Sequence, residues 1–268
     1  MARNRPTVAD LRALKGRRQL SKLRVTTLEE AEAAERAGID LLSVTYGLML
    51  DPRFRDAAPS CFAFPGDEYG MMGATSDEIL RTAVKLKAAS ADAVYCSASA
   101  NTIRRLADER IPVCGHVGLI PVHSTWTGGF RAVGKTAETA ELVWRQVKEL
   151  EQAGAFAAEI EVVPTEVAAA ISKRTPLVMI SMGAGAGCDA QYLFAEDVLG
   201  LNRGRYPRHA KVYRNLAAEY DRIQQERISA FSEYASDIAS GAYPAASHMV
   251  GIEAEELRKF EVFLAAQG

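Results

Sequence analysis

Apolar and polar positions along this chain follow two alternating periods, and the switch between them recurs from one end to the other. Short runs rich in aliphatic, β-branched and aromatic residues read as strands at 23–27 (LRVTT), 39–47 (IDLLSVTYG), 60–64 (SCFAF) and 92–97 (DAVYCS). Further runs follow at 111–119 (IPVCGHVGL), 156–164 (FAAEIEVVP) and 176–185 (PLVMISMGAG), with a shorter eighth at 197–201 (DVLGL). Between them, apolar residues recur every three to four positions, the spacing of a helix with one buried face. LEEAEAAERAG closes on Gly38, the residue expected just past a helix end. Ser76 opens another helix with acids in its first turn, and a third starts near Thr136 with Glu138 and Glu141. Near the start, Thr7 reads as the cap of a helix that places Val8, Leu11 and Leu14 on one side. After residue 201 the pattern is a helical hairpin, interrupted by GAYP at 241–244.

Strands followed by helices, with no Pro/Gly/Ser-rich linker between them, predict one α/β domain over 1–268: a (β/α)8 TIM barrel with extra N- and C-terminal helices. An open doubly wound sheet is the alternative, and strand count favours the barrel. LMLDPRFRDAA, after the second strand, leaves little room for a barrel helix, so that helix is expected to be short or missing.

Composition narrows the partners. With 48% hydrophobic residues and 25% charged residues the chain is that of an ordinary globular protein, and a net charge of −2 gives no positive field to gather nucleic acid or an anionic membrane. No apolar run approaches the roughly 20 residues of a membrane helix. The basic N-terminus lacks the apolar stretch of a secretory signal, so a cytoplasmic location is expected. Cys61, Cys96, Cys114 and Cys188 form no CxxC pair and read as reduced, buried thiols.

A barrel places its chemistry at the C-terminal ends of its strands. Those ends carry Thr45-Tyr46-Gly47, Pro65-Gly66-Asp67-Glu68, Tyr95-Cys96-Ser97, Gly115-His116, Glu161 and Gly183-Ala184-Gly185. Glu159 and Glu161 share one face of their strand by alternation. A carboxylate at a packed barrel mouth is costly unless it is used or paired, which makes Glu161 either a general base or a salt-bridged strand-end acid. His116 reads as a structural hydrogen bonder or a site residue. GAGAG lacks the surrounding βαβ unit of a dinucleotide fingerprint. No zinc spacing and no G-x-S-x-G elbow occurs. The basic strip Arg203, Arg205, Arg208, Lys211 and Arg214 reads as a solvated face or an anion contact.

Several stretches in order then become specific. RIPVCGHVGLIPVHSTWTGGFRAVGK, EIEVVPTEVAAAI, LVMISMGAGAGCDAQYLFAEDVLGL, YPRHAK and SGAYPAASH resemble successive blocks of the ketopantoate hydroxymethyltransferase family, within the phosphoenolpyruvate mutase and isocitrate lyase superfamily. The resemblance implies a barrel enzyme, a transferase moving a one-carbon unit from 5,10-methylenetetrahydrofolate to 3-methyl-2-oxobutanoate in pantothenate biosynthesis. It implies magnesium to hold the 2-oxo acid, a homo-oligomer (a decamer), and Glu161 as the base. Thr45, Tyr46, Tyr95, Ser97 and His116 are the candidate substrate-binding residues and Asp67 the candidate metal ligand. The N-terminal half departs from the family pattern. Thr45 stands where the family has a magnesium-binding aspartate, Tyr95 where it has a lysine and Ser97 where it has a glutamate; Asp51 and Asp56 are candidate replacement ligands. Three readings stay open: a hydroxymethyltransferase with a rebuilt metal site, a lyase or aldolase of the same superfamily acting on another 2-oxo acid, and a silent ligand-binding homologue.

Overall fold

Strands with apolar residues on both faces need cover on both sides, and the chain supplies it by interleaving strands with helices. The computed structural model describes residues 4–66 and 72–267. It opens with α1 (Val8–Leu14), β1 (Leu20–Val25), α2 (Leu28–Arg36), β2 (Leu41–Val44), α3 (Tyr46–Leu50), α4 (Phe54–Ala57) and β3 (Phe62–Pro65). Then come α5 (Ser76–Ala88), β4 (Val94–Tyr95), α6 (Ala100–Asp108), β5 (Val113–Gly118), α7 (Ser124–Thr127) and α8 (Ala137–Gln152). The series ends with β6 (Ala157–Glu161), α9 (Thr165–Ser172), β7 (Val178–Met182), β8 (Ala190–Phe194), α10 (Ala195–Val198), α11 (Leu216–Ser240) and α12 (Ala254–Ala265).

All eight strands join one parallel sheet in the order β3-β2-β1-β8-β7-β6-β5-β4, the arrangement of a nearly closed (β/α)8 barrel. Inward residues such as Leu20, Leu41, Phe62, Phe64, Cys114, Val178, Ile180 and Ala190 fill its interior. Outward residues such as Leu42, Val44, Val117, Ile160 and Met179 pack against helix residues including Ala83, Leu86, Ile103, Leu106, Val143 and Val147. α1 belongs to the interior cluster. Its cap is a reciprocal pair between Thr7 and Asp10, and its buried Leu11 packs among the first residues of the strands, so it closes the floor of the barrel.

Between β3 and β4 the ladder is replaced by side-chain stitching. The Asp92 N–H donates to the Ala63 carbonyl at 2.9 Å, and the Ala63 N–H donates to Asp92 Oδ2 at 2.8 Å. Arg55 of α4 donates to the same carboxylate at 2.7 Å. The segment after β2 is thus a pair of short helices, α3 and α4, rather than a full barrel helix, and one of them ties the seam together.

The expected eighth strand at 197–201 is corrected. Val198 ends the short helix α10, and the strand is Ala190–Phe194. AQYLF alternates, with Ala190 and Tyr192 buried in the interior, whereas Asp197 is buried within α10. The chain divides into two compact units, Met1–Arg214 and Asn215–Gly268. In the second, α11 is capped by the Asn215 side chain and stops at Gly241, whose φ of 75° suits glycine. Ile228, Phe231, Tyr234, Phe260 and Phe263 of this unit are exposed in the single chain. Among the described residues no helix is long and apolar enough to cross a membrane.

Candidate active site

Period-two alternation decides which polar side chains enter the barrel. On β1, Lys22 and Arg24 turn inward while Leu23 joins the outer layer. On β6, Glu159 and Glu161 turn inward while Ile160 packs outward. Parallel register then sets His116 beside Glu159, Gly118 beside Glu161, and Arg24 between Ser43 and Phe194. At the C-terminal mouth Arg24, Ser43, His116, Glu159, Glu161 and Phe194, with Tyr95, Ser97, Met182 and Tyr192, line a cavity of about 980 Å³. That volume lies near the top of the usual range for ligand pockets.

Beneath the cavity lies a buried ion pair. Lys22 Nζ bonds Glu159 Oε1, with side-chain exposures of 0% and 5%. The ammonium also sits 4.1 Å from the Phe64 ring centroid and 4.0 Å from that of Tyr192. Two charges tolerate such a place only when each meets a partner, and the ring faces add to the attraction.

Above it runs a polar chain. The Tyr95 hydroxyl lies 2.6 Å from His116 Nδ1, and His116 Nε2 lies 3.2 Å from Glu161 Oε2. That second approach is off the alignment of a hydrogen bond. Among the described residues Nε2 is therefore a buried nitrogen without a hydrogen-bond partner at the cavity wall. Burial, then the charge of Glu159, pushes the Tyr95 hydroxyl well above the usual phenol range, and Ser97 opposes that shift. Tyr95 is thus a neutral phenol. By donating to Nδ1 it would leave the proton on Nε2, facing Glu161.

The backbone around Glu161 is strained. Val162, the next residue, has a φ of 49°, a conformation that β-branched residues strongly resist. Its N–H donates to the Met182 carbonyl at 2.9 Å, and its carbonyl accepts from Val133 at 3.1 Å. Glycine is required opposite: a Cβ on Gly118 would lie 2.5 Å from the Glu161 carbonyl oxygen. The strand end carrying the carboxylate is held from both sides at a cost of about 1–3 kcal/mol in strain.

The sequence-predicted residues separate into three groups. Tyr95, Ser97, His116 and Glu161 meet in the one cavity. Thr45 and Tyr46 are not among the residues that line it: Thr45 caps α3 by accepting from the Leu48 N–H at 3.1 Å, and Tyr46 packs against the outer layer. The chain turns into α3 right after β2, and the last inward residue of that strand is Ser43. Asp67 lies outside the described residues. Asp51 is engaged elsewhere, since the exposed Arg53 holds its carboxylate in two contacts and pulls it down to about 2. Of the basic strip, Arg205 and Arg208 reach the cavity rim, where Arg131 and Lys135 join them. The glycines of GAGAG serve packing: a Cβ on Gly183 would lie 2.7 Å from His209 Nδ1.

Lys22, Arg24, Ser43 and Tyr192 were not legible as site residues. The first strand reads as starting at Leu23, which left Lys22 outside it and hid the inward pair Lys22/Arg24. The available signal was two basic residues spaced by two within LSKLRV.

Divalent magnesium needs several oxygen ligands, usually including carboxylates. Among the described residues no group of three or more His, Cys, Asp or Glu is placed to hold a metal ion. Glu159 is bound to Lys22, and Arg24 brings a positive charge to the same wall. The described donor set does not fit a divalent cation.

Comparison with known proteins follows this geometry. A family model described as ketopantoate hydroxymethyltransferase matches residues 67–246. A 3-methyl-2-oxobutanoate hydroxymethyltransferase of Nitratidesulfovibrio vulgaris (strain DP4) is 32% identical over 283 residues, covering 97% of this chain and 89% of the relative. One from Kosmotoga olearia is 30% identical, covering 86% and 92%. Among solved structures, a phosphoenolpyruvate phosphomutase from Streptomyces platensis subsp. rosaceus matches with a TM-score of 0.52 and 14% identity over 98% of each chain. A 2,3-dimethylmalate lyase of the PEP mutase/isocitrate lyase superfamily matches with a TM-score of 0.51 and 13% identity, covering 97% of this chain and 98% of the other. At such identities the structural likeness speaks to the fold alone.

Proposed function

This chain belongs to the ketopantoate hydroxymethyltransferase family, and from that premise we propose that it transfers a one-carbon unit to 3-methyl-2-oxobutanoate through the enolate of that 2-oxo acid. The observation that carries the reading is Glu161: a carboxylate at the cavity wall, on the strand end that strain and packing hold in place. In this reading Glu161 takes the proton from the carbon next to the ketone, and the electron pair moves to the ketone oxygen. The resulting carbon nucleophile bonds to the methylene carbon of 5,10-methylenetetrahydrofolate, the folate nitrogens leave, and water supplies the product hydroxyl. The proton taken by Glu161 and one from the water pass to the two folate nitrogens as they leave, which returns the carboxylate to its starting state, while His116 and Tyr95 stand beside it.

A carbon acid beside a ketone is too weak for a carboxylate unless the enolate is stabilised as it forms. The fixed dipoles and charges of the cavity wall therefore matter as much as the base. No step in this reading passes through a metal.

The test separates the proton step from the transfer. Wild-type protein is expected to exchange the proton at the substituted carbon of 3-methyl-2-oxobutanoate for deuterium in heavy water, without folate. Glu161→Gln is expected to slow that exchange by about a hundred- to ten-thousand-fold, the range for loss of a positioned general base. Exchange that survives the substitution rejects Glu161 as the base. Exchange without release of formaldehyde from ketopantoate, the reverse reaction, rejects the transfer and leaves the enolisation.

A further inference from the structure

From floor to rim the cavity changes character. Tyr95, His116 and Glu161 make the floor polar at the strand ends, and Leu119, Ile120 and Phe130 of the loop after β5 make the wall beyond them apolar. The rim is cationic. Arg131 and Lys135 come to it from the segment before α8, Arg205 and Arg208 from the segment after α10.

Both basic segments are pinned to the barrel. The Val133 N–H donates to the Val162 carbonyl at 3.1 Å, which ties Arg131 and Lys135 to the end of β6. On the other segment His209 packs closely on Gly183, just past β7, where a Cβ would lie 2.7 Å from its Nδ1. The Tyr206 hydroxyl donates to the Asn202 carbonyl at 2.7 Å, and the Tyr213 N–H to the Val198 carbonyl at 2.9 Å, so this segment is closed onto itself and onto α10.

The charges on these segments meet no counter-charge. Lys135, Arg205 and Arg208 are exposed, and among the described residues none of them pairs with a carboxylate. Arg131 gives its Nε–H to the Thr127 carbonyl, a neutral partner that leaves its charge in place. The described acids of the same cavity have other neighbours: Glu159 pairs with Lys22, Asp197 accepts from the Asn202 amide at 3.3 Å, and Glu161 stands beside His116. Like charges gathered around one mouth raise the local concentration of anions and steer them inward. Guanidinium forks suit carboxylates in particular, which they meet with two parallel hydrogen bonds.

We propose that this rim is the subsite for the glutamate end of the folate co-substrate: Lys135, Arg205 and Arg208 receive its two carboxylates, and Phe130 lies against the benzoyl ring. This rests on the reading that the protein uses 5,10-methylenetetrahydrofolate. A folate has a polar heterocyclic head, a flat apolar middle and a doubly anionic tail, and the cavity offers a polar floor, an apolar wall and a cationic rim in the same order.

The experiment is calorimetric binding to the full chain of two probes, tetrahydrofolate and 6-methyltetrahydropterin, which shares its ring system and lacks the benzoylglutamate tail. Wild type is expected to bind tetrahydrofolate about tenfold or more tightly than the pterin. That advantage is expected to shrink between about 50 mM and about 500 mM sodium chloride, because exposed charges are screened. Arg205→Gln/Arg208→Gln is expected to lose about tenfold in affinity for tetrahydrofolate, and Arg205→Lys/Arg208→Lys to recover part of it, with circular dichroism showing that both variants fold. Equal wild-type affinity for the two probes overturns the proposal, as does a glutamine variant that keeps its affinity or loses the pterin as strongly. A glutamine variant that loses 3-methyl-2-oxobutanoate as strongly as tetrahydrofolate overturns it too, because the rim then serves the 2-oxo acid. Wild-type protein that exchanges the 2-oxo acid proton in heavy water but binds neither probe removes the folate subsite and leaves the enolisation; no exchange and no binding overturns both.

Discussion

Replacing Lys22 with methionine keeps the length of the side chain and deletes its charge. In the native barrel the ammonium is fully excluded from water and its partner nearly so, with side-chain exposures of 0% and 5%. The variant strands the Glu159 carboxylate among Cys114, Phe64, Tyr192 and the neighbouring strands. Breaking a buried pair in this way costs about 3–5 kcal/mol. Loss of the two ammonium–ring contacts removes about 0.5–2 kcal/mol each, which methionine offsets by packing its thioether against the same rings. A net loss of about 3–5 kcal/mol corresponds to a fall in Tm of about 6–20 °C for a domain of this size. Thermal unfolding followed by circular dichroism, with urea titration beside it, measures both. The double variant Lys22→Met/Glu159→Leu removes the stranded charge and should regain most of the loss, because apolar replacement of a whole buried pair is close to neutral. A single variant within about 1 kcal/mol of wild type refutes the reasoning, and so does a double variant as unstable as the single.

Two further outcomes follow from the site. Burial is the first cause that raises both Tyr95 and Tyr192, and the charge of Glu159 adds to it. Their folded values stand above the unfolded one of about 10, so their contribution to stability is complete below that pH and is lost as the pH rises beyond it. Ultraviolet titration should leave at least these two tyrosines un-ionised until the protein unfolds, and one fewer in Tyr95→Phe; reversible ionisation of all nine with native circular dichroism contradicts this. Val162→Gly relieves the positive-φ strain at a half-buried position and should stabilise the fold by about 1 kcal/mol. The same change frees the strand end that carries Glu161 and should lower kcat; equal kcat in the two proteins shows that the strained turn has no part in positioning the carboxylate.

Local signals in the chain were sufficient for much of the barrel. Seven of the eight strands fall within or against the apolar runs that the pattern marks, and the cap at Thr7 and the stop at Gly241 follow from their residue types. The eighth strand was missed because the aliphatic run DVLGL was read as the strand, whereas it lies in a short helix and turn directly after AQYLF. Of the site, Tyr95, Ser97, His116 and Glu161 were legible as strand-end residues. Thr45 and Tyr46 fall outside the cavity lining because β2 ends at Val44, short of the expected strand end, and turns directly into α3. Family blocks in the second half of the chain supplied the family, since those motifs match it where the N-terminal half departs from its pattern.

Sequence by itself determined the class of fold, the family and the carboxylate at position 161, because periodicity, caps and ordered motifs are properties of neighbouring residues. Tertiary structure alone decided that Lys22 pairs with Glu159 and that His116 lies between Tyr95 and Glu161. Those relations join residues from 21 to 137 positions apart in the chain. They depend on strand register and on which face of each strand closes inward, and no local pattern encodes which strand becomes the neighbour of which.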